Sequence, residues 1–303
     1  MRTHVLRSLR LASHVTKLAL VWALALTLSA CTTSTGGPAA DLSLSDDPLL
    51  GKFVWHDLIT DDVGRARQFY SGLLGWSFED TTRPGGGDYT LIIANGRYMG
   101  GMVLQPDPEQ GEYSRWLGYL SVADTDRAAD QTRDAGGEVV AGPMDLGEVA
   151  RAAAIRDPQG AVVGLLRSRM GDPVDSAAKG TGEVVWNELL SADVAESASF
   201  YSELAGLEAK TISRRGGQYT LLQAQQRDRA GILARPDEGI DPMWITHFAV
   251  PDAAAAAQRA KALGGEILLD ASPEFRESSL ALVTDPMGAI LALHQWPEAG
   301  ESQ

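Results

Sequence analysis

Residues 54–58 read Val-Trp-His-Asp-Leu, and the pattern returns 131 residues later as Val-Trp-Asn-Glu-Leu at residues 185–189. Each copy is followed by Phe-Tyr-Ser, at residues 69–71 and 200–202. Further glycines, aromatic residues and an Asp-Pro-x-Gly-Ala motif at residues 157–161 and 285–289 recur in the same order. Such collinear matching indicates one domain duplicated in tandem.

The pattern within each repeat predicts alternating elements. Residues 53–59 alternate as a strand does, and Asp61 or Asp62 then caps a helix that Gly75 ends. Asn95-Gly96 is a strong hairpin turn between two of the strands that follow. The remaining elements expected in the first repeat are strands at 76–80, 89–94, 98–104 and 116–122, a helix from Asp124 to Gly136-Gly137, and strands near Glu138, at 150–155 and at 161–167. The predicted class is α+β, with strand-helix-three strands occurring twice in each repeat.

The first thirty residues precede this fold and read as a secretion signal. Four basic residues lead into an apolar run at residues 18–28, which is too short to span a bilayer comfortably. Residues 28–31, Leu-Ser-Ala-Cys, resemble a bacterial lipobox, and Cys31 is the single cysteine of the chain. The resemblance implies lipidation of Cys31, with thioether-linked diacylglycerol and further acylation such as palmitate. An ordinary secreted protein is the alternative.

Charge and composition restrict the expected partners. Loss of the leader removes four basic residues and no acidic ones, which leaves 22 basic and 40 acidic residues and a net charge of −18. That balance argues against nucleic acid and against electrostatic adhesion to anionic lipid. We therefore expect a protein tethered to the cell envelope, outside the cytoplasm, by its lipid anchor only.

The expected organisation has six parts. They are a lipoprotein signal peptide (1–30), a lipidated flexible stalk (31–50), domain 1 (51–167), a linker (168–182), domain 2 (183–297) and a short tail (298–303). Two domains of this kind form a monomeric pseudo-dimer or pair in a homodimer.

These residues carry a family resemblance. Four βαβββ modules, Phe-Tyr with Leu and Gly at the end of the first helix, Gly-Gly before the sixth strand and Asp-Pro-x-Gly before the last strand resemble the vicinal oxygen chelate superfamily of glyoxalase I, bleomycin-resistance proteins and extradiol dioxygenases. The Trp-His-Asp-Leu opening and residues 99–102, Met-Gly-Gly-Met, are similar to its two-domain secreted-antigen branch. The resemblance implies two tandem glyoxalase-like domains but no single activity, because the scaffold serves isomerases, dioxygenases, lyases and binding proteins.

The resemblance also implies where metal ligands would lie. Counting from the shared motifs places apolar residues or glycine at each position, namely Trp55, Gly101, Leu117, Gly164, Trp186, Gly231, Ile245 and Ala292. None of these side chains coordinates a metal ion. We therefore expect no cofactor and no metal in either domain.

Polar residues next to those positions leave two alternatives. His247, His294 and Glu188 each lie two residues beyond a ligand position, so the period of a strand turns them toward the cleft. One alternative is a displaced site for Zn, Mn or Fe in domain 2, which would make the protein a metal-dependent lyase, isomerase or dioxygenase. The favoured reading is a polar lining for an organic ligand. His56 is expected to face the helices, where it matches Asn187 in a structural role.

The favoured function is therefore binding of a small organic molecule. The residues expected to contact it are Trp55, Asp57, Tyr119, Trp186, Glu188, His247 and His294. Flat aromatic side chains in place of metal ligands supply a large apolar contact. Glu188 or Asp57 is a weak candidate for a general base, and His247 and His294 are weak candidates for catalysis. The third possibility is a structural protein whose clefts are filled by its own side chains.

Overall fold

The computed structural model describes residues 42–83, 86–105, 114–176, 179–214, 217–273, 276 and 279–296. The predicted signal peptide, Cys31, the first part of the predicted stalk and the predicted tail lie outside these residues. No helix within the described residues has the length and apolar character needed to cross a bilayer.

Each repeat forms its own eight-stranded sheet. The elements of domain 1 are β1 Phe53–Thr60, α1 Val63–Leu74, β2 Ser77–Thr82, β3 Asp88–Ala94, β4 Arg97–Leu104, β5 Arg115–Ser121, α2 Thr125–Asp134, β6 Glu138–Leu146, β7 Ala150–Arg156 and β8 Val162–Ser168. Those of domain 2 are β9 Val184–Ser191, α3 Val194–Ala205, β10 Glu208–Arg214, β11 Gly217–Ala224, β12 Arg227–Ala234, β13 Met243–Val250, α4 Ala253–Ala262, β14 Glu266–Leu269, β15 Leu280–Thr284 and β16 Ile290–Gln295.

The two sheets have the same strand order, β2-β3-β4-β1-β5-β8-β7-β6 and β10-β11-β12-β9-β13-β16-β15-β14. In both, the first strands of the two modules pair antiparallel at the centre of the sheet. The two βαβββ modules of one repeat therefore pair with each other, and each domain has a cleft of its own. This confirms the predicted fold class of two tandem glyoxalase-like α+β domains.

Local sequence signals account for the helix boundaries. Asp62 caps α1 by accepting a hydrogen bond from the Arg65 amide at 2.8 Å. Gly75 ends the helix with φ of +71°, a left-handed conformation that favours glycine. In domain 2, Asp193 and Gly206 perform the same tasks. The equivalence of these caps explains why two sequences that differ at most positions begin and end the helix at matching points.

The helices of the two domains pack against each other, α1 with α4 and α2 with α3. Two tyrosines of the repeated Phe-Tyr motif join the domains, because each reaches the Asp-Pro-x-Gly turn of the other domain. Tyr70 donates to Asp285 Oδ2 at 3.1 Å, and Tyr201 donates to Asp157 Oδ2 at 2.9 Å. The Phe-Tyr motif of each domain thus contacts the Asp-Pro-x-Gly motif of the other domain, and this contact occurs twice.

His56 and Asn187 form a further bond between the two domains. His56 Nε2 and Asn187 Oδ1 are 3.1 Å apart, and both side chains are buried. Burial lowers the pKa of His56 to about 4, so the imidazole is neutral at physiological pH. Both side chains are hydrogen-bonded, as predicted, and the partner of each is the equivalent residue of the other domain.

Candidate functional site

The cleft of domain 1 is built on the central strands β1 and β5. Trp55 lies opposite Tyr119 across this pair, and Asp57 lies beside Gly101 of β4 on the other side. Because alternate residues of a strand share a face, Trp55 and Asp57 point to the same side of the sheet. Tyr89 of β3 completes the group, since its hydroxyl reaches both of them.

Asp57 is the centre of a closed hydrogen-bond network. Its Oδ1 accepts from the Tyr89 hydroxyl at 2.7 Å and from the Trp55 indole at 3.0 Å, and its Oδ2 accepts from the Tyr119 hydroxyl at 3.0 Å. All four side chains are at most 4% exposed. Burial raises the pKa of Asp57 to about 7, although the hydrogen bonds from neutral donors act in the opposite direction. The carboxyl group is therefore satisfied within its own domain.

The two tyrosines also fill the space beside the positions of the expected metal ligands. A Cβ atom added to Gly101 would lie 1.9 Å from the Tyr89 hydroxyl oxygen, and one added to Gly164 would lie 2.3 Å from the Tyr119 ring. Neither glycine can be replaced without moving a buried aromatic ring. Domain 1 therefore has glycine at two ligand positions because a tyrosine occupies the adjoining volume.

The cleft of domain 2 keeps the same register with different side chains. His247 lies opposite Trp186 and beside Ala292, whereas the corresponding residues in domain 1 are Tyr119, Trp55 and Gly164. Glu188 lies beside Gly231, as Asp57 lies beside Gly101. The pseudo-twofold relation thus pairs each residue of one cleft with one of the other.

Glu188 has a charged partner that Asp57 lacks. Its Oε2 accepts a hydrogen bond from the Tyr219 hydroxyl at 2.8 Å and forms an ion pair with Arg276. Trp186 Nε1 donates to the same tyrosine hydroxyl at 2.8 Å. The indole of Trp186 is partly exposed, unlike that of Trp55, which is 4% exposed. The cleft of domain 2 is therefore more open to solvent on its aromatic side.

The two histidines of this cleft face each other. The Nδ1 atoms of His247 and His294 are 3.5 Å apart, and the His294 ring lies edge-on to Trp296 with centroids 5.6 Å apart. Burial lowers the pKa of His294 to about 4, with a further contribution from Arg276, and burial holds the pKa of His247 well below its ordinary value. Both rings are neutral near pH 7.

His247 has an unsatisfied polar atom. The residue is fully buried, and its Nε2 has no hydrogen-bond partner among the residues that the structure describes. A buried polar atom without a partner is costly, and native structures rarely leave one. The atom lies on the side of the sheet that carries Trp186 and His294, so a molecule bound in the cleft is a suitable partner.

Two arginines flank the Tyr219 ring. The guanidinium carbon of Arg214 lies 4.6 Å from the ring centroid, and that of Arg276 lies 5.6 Å from it. Arg214 is exposed at the end of β10, whereas Arg276 is partly buried. Cation–π contacts of this kind hold a guanidinium group beside an aromatic wall. In domain 1, Tyr89 has no described arginine in such a contact.

The family's metal site does not fit these residues. The expected ligand positions hold side chains without donor atoms, and within the described parts of the chain no three His, Cys, Asp or Glu side chains are grouped so that they could hold one metal ion. The alternative metal site of Glu188, His247 and His294 has no support in this geometry. Oε2 of Glu188 is bound by Tyr219 and Arg276 instead. No step through a metal is derived for this chain.

Sequence reasoning identified most of the cleft but missed several residues. The structure brings Trp55, Asp57 and Tyr119 together in domain 1, and Trp186, Glu188, His247 and His294 in domain 2. That they contact a ligand stays a prediction. Tyr89 and Tyr219 were missed as site residues, although their recurrence in both repeats was a visible signal. Arg276 carried no signal, since it lies outside any periodic segment.

Relatives in sequence span nearly the whole folded part of the chain. CFP32 of Mycobacterium tuberculosis, named provisionally as a glyoxylase, is 32% identical over 242 residues, which cover 79% of this chain and 92% of the relative. The anthracycline biosynthesis protein DauV of Streptomyces sp. strain C5 is 27% identical over 264 residues, which cover 82% and 94%.

Solved structures share the fold at low sequence identity. The Mn(II)-bound glyoxalase from Novosphingobium aromaticivorans superposes with a TM-score of 0.52 at 13% identity over 81% of this chain and 82% of that one. An extradiol ring-cleaving dioxygenase from B. fuscum gives 0.53 at 13% identity over 86% and 76%. Residues 52–165 and 184–293 each match the family defined by such proteins. The chain therefore belongs to the Glyoxalase/Bleomycin resistance protein/Dioxygenase superfamily.

Proposed function

We propose that this protein binds a small organic molecule, without a metal ion, in the cleft of domain 2. The observation that carries the proposal is the buried Nε2 atom of His247, which lacks a partner among the described residues. A ligand atom at this point would remove the cost of an unpaired polar group. Because the imidazole is neutral, Nε2 can accept or donate a hydrogen bond according to the tautomer.

The side chains around His247 favour a flat, unsaturated ligand. Trp186, His294 and Trp296 are partly exposed and present ring surfaces, which contribute contact area at low entropic cost. The Arg276–Glu188 pair adds groups that orient polar substituents. An aromatic molecule with a hydrogen-bonding substituent meets both requirements. The name of the relative DauV, which refers to anthracycline biosynthesis, makes polycyclic aromatic compounds a sensible first set to test.

Domain 1 is proposed to have a different role in this function. Its Asp57 carboxylate, two tyrosines and tryptophan bind one another, and none of these four side chains has a buried polar atom without a partner, as His247 has at Nε2. A hydrogen bond between a ligand and the polar atoms of Trp55, Asp57 or Tyr119 would have to replace these bonds. The polar ligand is therefore expected in domain 2.

The test is a thermal-shift screen followed by titration calorimetry with aromatic compounds. Once a ligand is found, His247→Ala and Trp186→Ala should each weaken binding by about 1 to 3 kcal/mol, the first through a lost hydrogen bond and the second through lost ring contact. The matched controls are Tyr119→Phe and Trp55→Phe in domain 1, which should leave affinity unchanged. If the control variants lose affinity and His247→Ala does not, the site has been placed in the wrong domain.

We also propose that the protein is an envelope lipoprotein tethered through Cys31. The support is the basic and apolar leader followed by Leu-Ser-Ala-Cys at residues 28–31. Cys31→Ser should release the protein from the membrane fraction or leave it unprocessed, as seen by fractionation and gel mobility. A variant that behaves as the wild type does in both assays would refute the anchor.

A monomer is the proposed form of the mature protein. The helices of the two domains face each other within the chain, and Tyr70 and Tyr201 bond across that contact. The chain thereby supplies both halves of a pseudo-dimer. Light scattering checks this, and a mass of two chains would contradict it.

A further inference from the structure

The segment before domain 1 is bound to the linker after it. We call residues 42–49 the strap. Leu44 forms an antiparallel bridge with Pro173, the Val174 amide donates to the Ser43 carbonyl at 3.0 Å, and the Ser45 amide donates to the Asp172 carbonyl at 2.8 Å. The strap and the linker therefore form a short antiparallel ladder of backbone hydrogen bonds.

Asp172 attaches this ladder to the sheet. Its side chain is fully buried, and Oδ2 accepts from the Leu49 amide at 2.6 Å and from the Ser121 hydroxyl at 2.7 Å. Ser121 is the last residue of β5, the central strand that carries Tyr119. One carboxylate thus joins the linker, the strap and the centre of domain 1.

A cavity lies between the strap and the sheet. Its volume is about 40 Å³, and it is lined by Leu42, Leu44, Val54, Trp55, Val149, Leu166, Ser168, Met170, Gly171, Asp172 and Pro173. The lining is almost entirely apolar. A space of this volume admits only very small molecules, so a larger one enters only if the strap moves. Trp55 and Leu166 line the cavity on the side of the sheet, and Leu42 and Leu44 line it on the side of the strap.

We infer that the strap covers a second binding site, in domain 1, for an uncharged apolar molecule. Leu42 and Leu44 supply the aliphatic groups that cover the apolar surface in the closed form, and a ligand of similar character replaces them when the strap is displaced. A charged ligand is disfavoured, because the lining is almost entirely apolar and would leave its charge unpaired. Asp172 at the edge binds Leu49 and Ser121 through Oδ2, and its Oδ1 has no hydrogen-bond partner among the described residues. The site differs in chemistry from the cleft of domain 2, with its histidines and arginines.

The strap can be displaced by one substitution. Gly171 has φ of +95°, and a Cβ atom added there would lie 1.9 Å from the Ser45 carbonyl oxygen. Gly171→Val therefore forces the strap away from the linker. The probe is N-phenyl-1-naphthylamine, an uncharged dye that fluoresces in apolar surroundings, titrated into residues 31–303 with Cys31→Ser, which contain every described element.

The expected result is that Gly171→Val binds the dye at least about fivefold more tightly than the parent, because a larger fraction of molecules is open. Adding Val149→Trp, which fills the cavity, should abolish that gain. Leu104→Ala, at an exposed position outside both binding sites, should leave it unchanged. The inference is overturned if Gly171→Val gains no affinity, or if the gain survives Val149→Trp, since the dye then binds elsewhere.

A reversible lock gives an independent measurement if Gly171→Val fails to fold. Leu44 and Pro173 are directly paired across an antiparallel bridge, at a separation suited to a disulfide. In the same Cys31→Ser chain, Leu44→Cys with Pro173→Cys should bind less dye when oxidised than after reduction. Equal binding in the two states would overturn the inference. Failure here leaves the domain 2 proposal standing, because that proposal is tested by His247 and Trp186.

Discussion

The two clefts share a backbone but differ in how their carboxylates are satisfied. Asp57 is held by three neutral donors from its own sheet, whereas Glu188 is held by Tyr219 and by the guanidinium of Arg276. Glu188 has one more methylene than Asp57, which extends its carboxylate farther from the strand. The difference teaches that two copies of a duplicated domain can differ in the solvent access of their clefts. A few side chains at equivalent positions of the two sheets are enough to produce this difference.

The neighbouring pair shows the same divergence. Tyr119 lies beside Gly164 in domain 1, and His247 lies beside Ala292 in domain 2. The smaller ring of His247 leaves room for the methyl group of Ala292. Its imidazole nitrogen stands where domain 1 has a phenol that reaches the carboxylate. The two pairs fill a similar volume. The Tyr119 hydroxyl is bonded to Asp57, whereas Nε2 of His247 has no partner among the described residues.

Removal of the charged partner should have the largest effect. Arg276→Met leaves the buried Glu188 carboxylate without its counter-charge, so we expect a loss of about 3 kcal/mol in the free energy of unfolding. Asp57→Asn in domain 1 should cost less, about 1 kcal/mol, because the donors around it are neutral. Urea unfolding followed by tryptophan fluorescence measures both.

The double variant Arg276→Met with Glu188→Gln sharpens this test. It should recover much of the loss, because it removes the unpaired charge together with its partner. Equal losses in Arg276→Met and Asp57→Asn would mean that the two carboxylates are held in the same way, and the comparison of the clefts would fail.

A change in the packing of Tyr119 against Gly164 should have the next largest effect on the free energy of unfolding. Gly164→Ala places a methyl group 2.3 Å from the Tyr119 ring, and we expect it to cost about 2 kcal/mol. Adding Tyr119→His reproduces the pair found in domain 2 and should return part of that stability. A double-mutant cycle in urea measures the coupling, and simple additivity of the two changes would show that the pairs are not interchangeable solutions.

The fold could be predicted from the sequence because its signals are local or repeated. Strand alternation, the Asp62 cap and the Gly75 stop each act within a few residues, and the duplication allowed one repeat to check the other. The cleft face of Glu188 and His247 followed from the period of two along a strand. These signals do not depend on contacts distant in sequence.

The rest of the site depends on such distant contacts. Arg276 reaches Glu188 across 88 residues from a segment without periodicity, and Tyr89 reaches Asp57 from a neighbouring strand 32 residues away. The bond between His56 and Asn187 joins two domains, so the sequence indicated a shared role but not their pairing. The Tyr70–Asp285 contact likewise could not be read from two motifs 215 residues apart.

The two clefts should respond to pH in opposite directions. The pKa of Asp57 is raised to about 7 in the folded state, so the folded protein binds a proton that the unfolded chain has lost above its ordinary pKa of 3.8. This contribution to stability is complete below pH about 4 and is lost as the pH rises to about 7. The pKa of His294 is lowered to about 4, so its contribution is present above pH about 6.5 and is lost as the pH falls toward 4.

Substitution separates these two contributions. The difference in unfolding free energy between wild type and Asp57→Asn should fall as the pH rises from about 4 to about 7. The difference between wild type and His294→Gln should rise as the pH rises from about 4 to about 6.5. Urea titrations at a series of pH values test both, and parallel slopes for the two variants would contradict the opposite responses.

Chelation should have the smallest effect, which is none in either domain. Positions that would carry ligands hold Trp55, Gly164, Trp186 and Ala292, among others, and none of these side chains donates to a metal ion. A bound ion stabilises the folded state by RT ln(1 + [L]/Kd), so a real site would shift the melting temperature by several degrees, about 3 °C or more, on addition of EDTA. We expect no shift, and less than one metal ion per chain in protein purified without chelator. Stoichiometric metal whose removal lowers the melting temperature would show that this chain holds an ion through residues other than those expected. Repeating the measurement with Glu188→Gln would then place the ion, because a loss of metal in that variant assigns it to domain 2.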